Sequence, residues 1–427
     1  MKTPPPRAVL VTLALTAATI ALLFAVIPHG LYGDGYVRYL KIDALLRHGT
    51  LGPERYSYVG PLFAAPFWLF GETRMWWCAR FNVLVLAAAA IAGWRALRPL
   101  LPPEERAAFV LLLAATGMMP HATRDFYGEV FSAVLVGTGF MLVNGPRNRL
   151  GWAAVVLGVV NAPATAVGLL LAAVWRTWKS RRADGLIAFA VAAGLVVLEN
   201  TIVRGSPFDT GYHGDRGVVT VLPYSGMPGF SYPLLFGLAS LLFSFGKGLL
   251  FFAPGVLLVA EARRRRPDLA ACFDLSIAFL AGLLLVYSQW WAWYGGWTWG
   301  PRFLLFAIYP SSLAIAVALT APAAWPRSAV VLGITWWTVW VGASGAVFGV
   351  DGLDECIANG YALEYLCWYV PEYSPLLRPL VMPPESLAGW QQVWMVLAAV
   401  VAGVLTTSGP ALATAADRLA SATRRTP

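Results

Sequence analysis

The sequence predicts an all-helical integral membrane protein, and three observations carry that prediction. Of its 427 residues, 58% are hydrophobic and 12% charged, with a mean hydropathy of +0.64; that balance is too apolar for an ordinary water-soluble globule. Apolar runs long enough to cross a bilayer, or nearly so, recur from one end to the other. Lys and Arg gather between those runs and form no basic stripe with interleaved aromatics, so the net charge of +9 is an orientation signal and not a nucleic-acid footprint.

The first run, 8–28, follows Lys2 and Arg7 and lacks a small-x-small cleavage site, so it is expected to stay as an uncleaved first helix. Further runs cover 76–94, 107–120, 127–143, 185–203, 248–261, 269–290, 303–320, 328–348 and 390–408. The run 151–175 is either one long helix or two short ones. Arg176, Lys179, Arg181 and Arg182 share a side with Arg147 and Arg149 only if it crosses twice, and Asn161-Ala162-Pro163 supplies the break. The expectation is one polytopic domain over 1–427, with about twelve transmembrane helices and both termini cytoplasmic.

The positive charges test this arrangement. On the inner side fall Lys2, Arg7, Arg95, Arg98, Arg106, Arg147, Arg149, Arg176, Lys179, Arg181, Arg182, Arg263 to Arg266, Arg327, Arg418, Arg424 and Arg425, more than half of the 31 basic residues. The polar stretches then lie outside: a first loop at 29–75, the turn at 121–127, loops at 204–247 and 349–390, and an aromatic segment at 290–302. In the first loop, 36–48 sets Tyr36, Leu40, Ile42, Leu45 and Leu46 against Arg38, Lys41, Asp43 and Arg47, the pattern of an amphipathic helix lying on the membrane. The proline-bearing apolar stretch 56–71 is placed as a second interfacial helix, because a crossing there would reverse every later helix and put the arginine clusters outside.

Chemistry is therefore sought on the outer face. Asp34, in Gly33-Asp34-Gly35, is either a turn residue or a site carboxylate. Asp125 and Glu129 either favour the positive end of a helix dipole or form a second acidic position. Lys247 either snorkels or binds an anion, whereas Arg302, at a helix entrance after Gly300-Pro301 and between aromatics, points to function. Trp290, Trp291, Trp293, Tyr294, Trp297 and Trp299 either form an interfacial belt or stack on sugar faces.

The Gly-rich stretch 204–229 is a lid or a connector, and its His213 and Asp215 are too few for a metal site. No Asp-x-Asp pair occurs in the first loop, so no cofactor is expected and the sequence makes no case for a divalent ion. Cys78 and Cys272 are packing residues, while Cys356 and Cys367, together in an outer loop, are either bridged or two free thiols. Ionisable residues inside the runs are rare; Glu199 and Asp274 lie close to helix ends, which argues against an ion-coupled carrier.

Taken in order, several motifs carry a resemblance. Gly33-Asp34-Gly35-Tyr36-Val37-Arg38-Tyr39 follows the first helix; a proline-containing apolar segment closes on Phe70-Gly71; Ala79-Arg80 opens the next helix. Then come Arg124-Asp125-Phe126-Tyr127-Gly128-Glu129, the stretch from Phe245 through Lys247 to Pro254, and Trp293 through Gly300-Pro301-Arg302-Phe303. This order resembles the GT-C class of multi-pass glycosyltransferases, and is similar in pattern to bacterial aminoarabinose transferases and protein mannosyltransferases. The resemblance implies a transferase of a bacterial inner membrane, acting on its extracytoplasmic face with a polyprenyl-phosphate-linked sugar as donor and a lipid, glycan or protein as acceptor. It also implies Asp34 as general base with Asp125 as a second acid, Lys247, Arg302 and Arg80 on the donor phosphate, and Tyr36, Trp293, Tyr294, Trp297, Trp299 and His213 along sugar and lipid. The competing expectations are a flippase of a lipid-linked saccharide without transfer chemistry, and a structural subunit of an envelope assembly.

Overall fold

The computed structural model describes residues 7–52, 55–212, 217–321 and 324–407, and among them there is helix but no strand. His213 and Asp215 lie outside the described residues. In chain order come α1 (Arg7–Ala25), α2 (Gly33–His48), α3 (Val59–Trp68), α4 (Arg74–Ala79), α5 (Phe81–Ala96), α6 (Pro103–Ala115), α7 (Met119–Ala122), α8 (Gly128–Leu142), α9 (Asn148–Asn161), α10 (Ala166–Ser180) and α11 (Asp184–Arg204). There follow α12 (Leu234–Phe243), α13 (Leu249–Phe252), α14 (Val259–Arg265), α15 (Ala270–Tyr287), α16 (Ile308–Thr320), α17 (Trp325–Val347), α18 (Asp354–Tyr361), α19 (Glu364–Tyr369), α20 (Arg378–Val381) and α21 (Gly389–Thr407).

Six helical segments are long and apolar enough to cross a membrane: α1, α11, Pro267–Tyr287, Arg302–Thr320, α17 and α21. A seventh span is available if α4 and α5, bent by 55°, count as one. A helix suits this setting because it satisfies its own backbone where water is absent. α16 is buried along nearly its whole length and forms the centre of the bundle, whereas α11 leaves Ile187, Leu198 and Ile202 exposed, the pattern of a helix facing lipid. The expected count of about twelve divides into these full-length spans and shorter helices. α6, α8, α9 and α10 have 13 to 15 residues, about 20 Å at 1.5 Å per residue.

The stretch 151–175 is two helices, broken at Ala162-Pro163. Arg176 at the end of α10 bonds Asn144 Oδ1 (2.7 Å) and Val143 O (3.2 Å), just before α9. The pair is thus a hairpin that returns its basic end to where it began. Asn161 at the turn accepts from Gly60 N (2.9 Å) and donates to Gly128 O (2.9 Å), tying α3 and α8 to the opposite end. Two expectations need correction. The run 248–261 is not one helix, because Pro254 splits it into α13, a 3₁₀ turn and α14. The stretch 204–247 is not all loop, because Leu234–Phe243, entered from Pro233, is the helix α12.

The two ends of the bundle differ in kind. At one end arginines meet acids: Arg263 with Asp274 (2.5 Å), Arg327 with Glu261 (2.5 Å), Arg176 with Asp184 (2.6 Å) and Arg266 with Glu105. At the other end lie α2 and α3. With 10 residues, α3 is about 15 Å long and cannot cross a hydrocarbon core of about 30 Å. Tyr36, Leu40 and Leu46 of α2 are exposed while Arg38 and Lys41 turn into the protein. Lys41 donates to Tyr56 O (2.6 Å), Ile42 is buried beside it and Arg47 is exposed, so the expected split into a charged and an apolar face is only partly kept.

Candidate active site

The loop that follows α1 is fixed to the second acidic turn, largely through the backbone. Gly30 N donates to Arg124 O (3.2 Å), Tyr32 N to Asp125 Oδ2 (3.2 Å), and Arg124 Nε to Pro28 O (3.3 Å). The buried Asn82 of α5 holds the other side of that turn, donating to Asp125 O (2.6 Å) and Tyr127 O (2.9 Å). α2 then starts at Gly33, which sits at φ +44°, a region that disfavours side chains. Gly35 lets the helix come down on Asp125, since a Cβ there would stand 2.1 Å from Asp125 Oδ1. The result sets Asp34 in the first turn of α2, where the helix dipole favours an anion.

Arg302 Nη1 donates to Asp34 Oδ2 at 2.6 Å and lies 3.7 Å from Glu129 Oε1 in the first turn of α8. Its guanidinium stands 5.6 Å from the Tyr127 ring and 5.3 Å from the Phe303 ring. Burial works to raise the Asp34 carboxyl, but the Arg302 charge, bonds from Tyr56 and Arg302, and the charge of Arg38 hold it below the ordinary carboxylate value. Asp125, 4% exposed, behaves oppositely: burial pushes it up to about 7, although it accepts from Phe126 N (2.6 Å), Tyr32 N and Tyr127. One carboxylate stays charged beside an arginine, and a second, nearby, sits close to neutrality.

Arg38, one helical turn beyond Asp34, is buried with Nε and Nη1 lacking partners, its guanidinium 4.7 Å from the Tyr56 ring. Arg38, Tyr56 and Asn82 carry no site role in the sequence reading. The i, i+4 spacing from Asp34 could have marked Arg38; nothing local could have marked the other two.

The remaining candidates are placed as follows. Lys247 is wholly buried, its ammonium on the carbonyls of Gly296 (3.0 Å), Thr298 (2.5 Å) and Gly300 (3.1 Å). It pins the segment that leads into Arg302, with its protons already engaged. Arg80 donates to Phe24 O (2.9 Å) and lies over Trp76 (3.8 Å); neither contact reaches Asp34 or Arg302. Trp293, Tyr294 and Trp299 are buried core residues. Trp297, partly exposed, stacks on Tyr361 at 4.4 Å, and Tyr36 is exposed on α2. Cys356 and Cys367 form a disulfide that ties α18 to α19. Among the described residues no three His, Cys, Asp or Glu side chains are grouped to hold a metal ion.

No family model matches the chain, and no curated protein matches it. Among solved structures, it is similar to ArnT, an aminoarabinose transferase, from Cupriavidus metallidurans in the apo state. The TM-score is 0.53 at 14% identity, over 93% of this chain and 75% of that one. The same protein bound to undecaprenyl phosphate gives a TM-score of 0.54 at 15% identity, over 93% and 76%. At such identity the likeness is one of fold, and the chain has the GT-C-type helical architecture.

Proposed function

We propose that this chain is a membrane glycosyltransferase that moves a sugar from a polyprenyl-phosphate donor to an acceptor hydroxyl on the extracytoplasmic face. The observation that carries the reading is the Asp34–Arg302 pair at 2.6 Å, set at the start of a surface-lying helix with Glu129 and Arg38 beside it. The fold supports it, as does the undecaprenyl phosphate bound by the structurally similar ArnT.

In the resting protein Arg302 neutralises Asp34. An arriving donor phosphate competes for that guanidinium, since charge-assisted bonds from arginine to phosphate are strong where water is scarce. Asp34 is then left without its main counter-charge, which makes it a better proton acceptor. It takes the proton of the acceptor hydroxyl as that oxygen attacks the anomeric carbon; the carbon–oxygen bond to phosphate breaks and the polyprenyl phosphate leaves with the negative charge. Arg302 and Arg38 stabilise that leaving group. Lys247 serves by fixing the backbone before Arg302, and Asp125 by anchoring the loop that presents Asp34.

The test is a panel of polyprenyl-phosphate sugars offered to the purified protein, with release of free polyprenyl phosphate as the readout. Release from one donor is the expected result and identifies the sugar. A protein that releases none, yet moves the labelled donor across vesicle membranes, is a flippase and the proposal fails.

A further inference from the structure

Between α1, α5 and α6 a cleft of about 910 Å³ runs along the helices toward the end of the bundle opposite Asp34. Its lining is mostly apolar, with Ala17 and Ala21 of α1 and Ala87 and Ala90 of α5 among larger side chains, and no acidic residue contributes to it. Along α5 it runs from Val83 to Trp94, about 17 Å of helix at 1.5 Å per residue, close to half of the ~30 Å hydrocarbon core. That is the depth of one leaflet.

The cleft ends at three arginines, Arg95, Arg98 and Arg106. Arg95 and Arg98 are exposed at its mouth. Arg106 is 8% exposed, yet its buried Nε has no partner, and its one bond is a long one from Nη1 to Trp94 O (3.4 Å). The guanidinium lies 4.1 Å from the Trp94 ring centroid. Arg176, the other buried arginine at this end, shows what such a group ordinarily requires: Asp184 on Nε (2.6 Å) and Nη2 (2.8 Å), and Asn144 on Nη1 (2.7 Å). A buried guanidinium without a bonded carboxylate is costly, and Arg106 lines the cleft.

We propose that this cleft binds an anionic phospholipid from the leaflet at the basic end, its phosphate and headgroup on Arg95, Arg98 and Arg106 and its acyl chains between α1 and α5. The apolar length of the cleft suits acyl chains, which a soluble anion lacks, and basic pockets between membrane helices are suited to anionic headgroups. The inference does not use the reading of Asp34: the three arginines lie at the other end of α5 from Asn82, which holds the Asp125 turn.

The experiment uses the full chain in neutral detergent, titrated with phosphatidylglycerol or with phosphatidylcholine of the same acyl chains, bound lipid being counted by native mass spectrometry. Phosphatidylglycerol is expected to bind at least about tenfold more tightly, and the double substitution Arg95→Gln/Arg98→Gln to remove roughly fivefold per arginine. Both positions are exposed, so this variant is expected to keep its fold, whereas Arg106 is buried. Ala87→Phe, which fills the cleft, is expected to weaken both lipids together. Equal binding of the two lipids, or a preference that survives the double substitution, overturns the proposal. So does displacement by glycerol phosphate, which would make this a soluble-anion site, or by equimolar undecaprenyl phosphate, which would assign the cleft to the donor.

Discussion

Arg302 is 2.6 Å from Asp34 and 3.7 Å from Glu129, so one cation balances two anions before any ligand arrives. Replacing it with Gln removes the proposed phosphate partner, and the affinity for undecaprenyl phosphate, read by titration, is expected to fall by tenfold or more, about 1.4 kcal/mol per decade; unchanged affinity would remove Arg302 from the donor site. Asp125 carries a pH signature. Its proton is held up to about 7 in the fold but leaves near 4 in the unfolded chain, so between those values the folded state binds more protons and stability falls as pH rises. His29 and His121, pushed down by burial to about 4 and about 3, slope the other way, so the readout is a comparison with Asp125→Asn. From about pH 4 to about pH 7 the advantage of wild type over that variant should shrink by a few kcal/mol in unfolding experiments; a constant difference contradicts the assignment. Asp34, Asp125 and Arg302 were legible in the sequence because each is a charge set among Gly, Pro or aromatic residues where a run ends. Lys247 was legible as a residue but not in its role, since its three carbonyl partners lie some fifty positions away.

The element that organises the site is α2, and its seat on the Asp125 turn depends on the missing side chain of Gly35. Gly35→Ala puts a methyl 2.1 Å from Asp125 Oδ1 and 3.2 Å from Phe126 N. The expected cost is about 1–3 kcal/mol of stability, as for other overpacked sites, with loss of transfer activity at temperatures where the variant stays folded. A lowered thermal midpoint with full activity would show that the close approach serves packing alone. The hairpin of α9 and α10 was readable because Pro163 and two arginine clusters agree on it. The character of α2 was readable, but the burial of Arg38 and Lys41 was not. Their partners, the ring of Tyr56 and its carbonyl, come from a segment that no periodicity links to α2.

Across the whole molecule, charge divides the bundle into a basic end and an end bearing Asp34, and the class of fold follows from composition and run length alone. The number of crossings does not, since helices of 13 to 15 residues packed inside a bundle look in sequence like spans. Sidedness is open to labelling with a membrane-impermeant maleimide, for which the native cysteines give little background: Cys78 and Cys272 are buried and Cys356 and Cys367 are bridged. A cysteine replacing Leu51, an exposed residue after α2, is expected to label on intact cells, and one replacing Arg264, in α14 at the basic end, only after permeabilisation. The reverse pattern would place the site inside the cell. The most direct test of the account is transfer by purified Asp34→Asn protein with the donor that wild type accepts. Loss of a proton acceptor predicts turnover lower by about 10²-fold or more, with donor binding kept because Arg302 remains. Turnover at the wild-type rate would mean that Asp34 is a turn residue held by an arginine, and that the reaction, if there is one, takes its base from elsewhere.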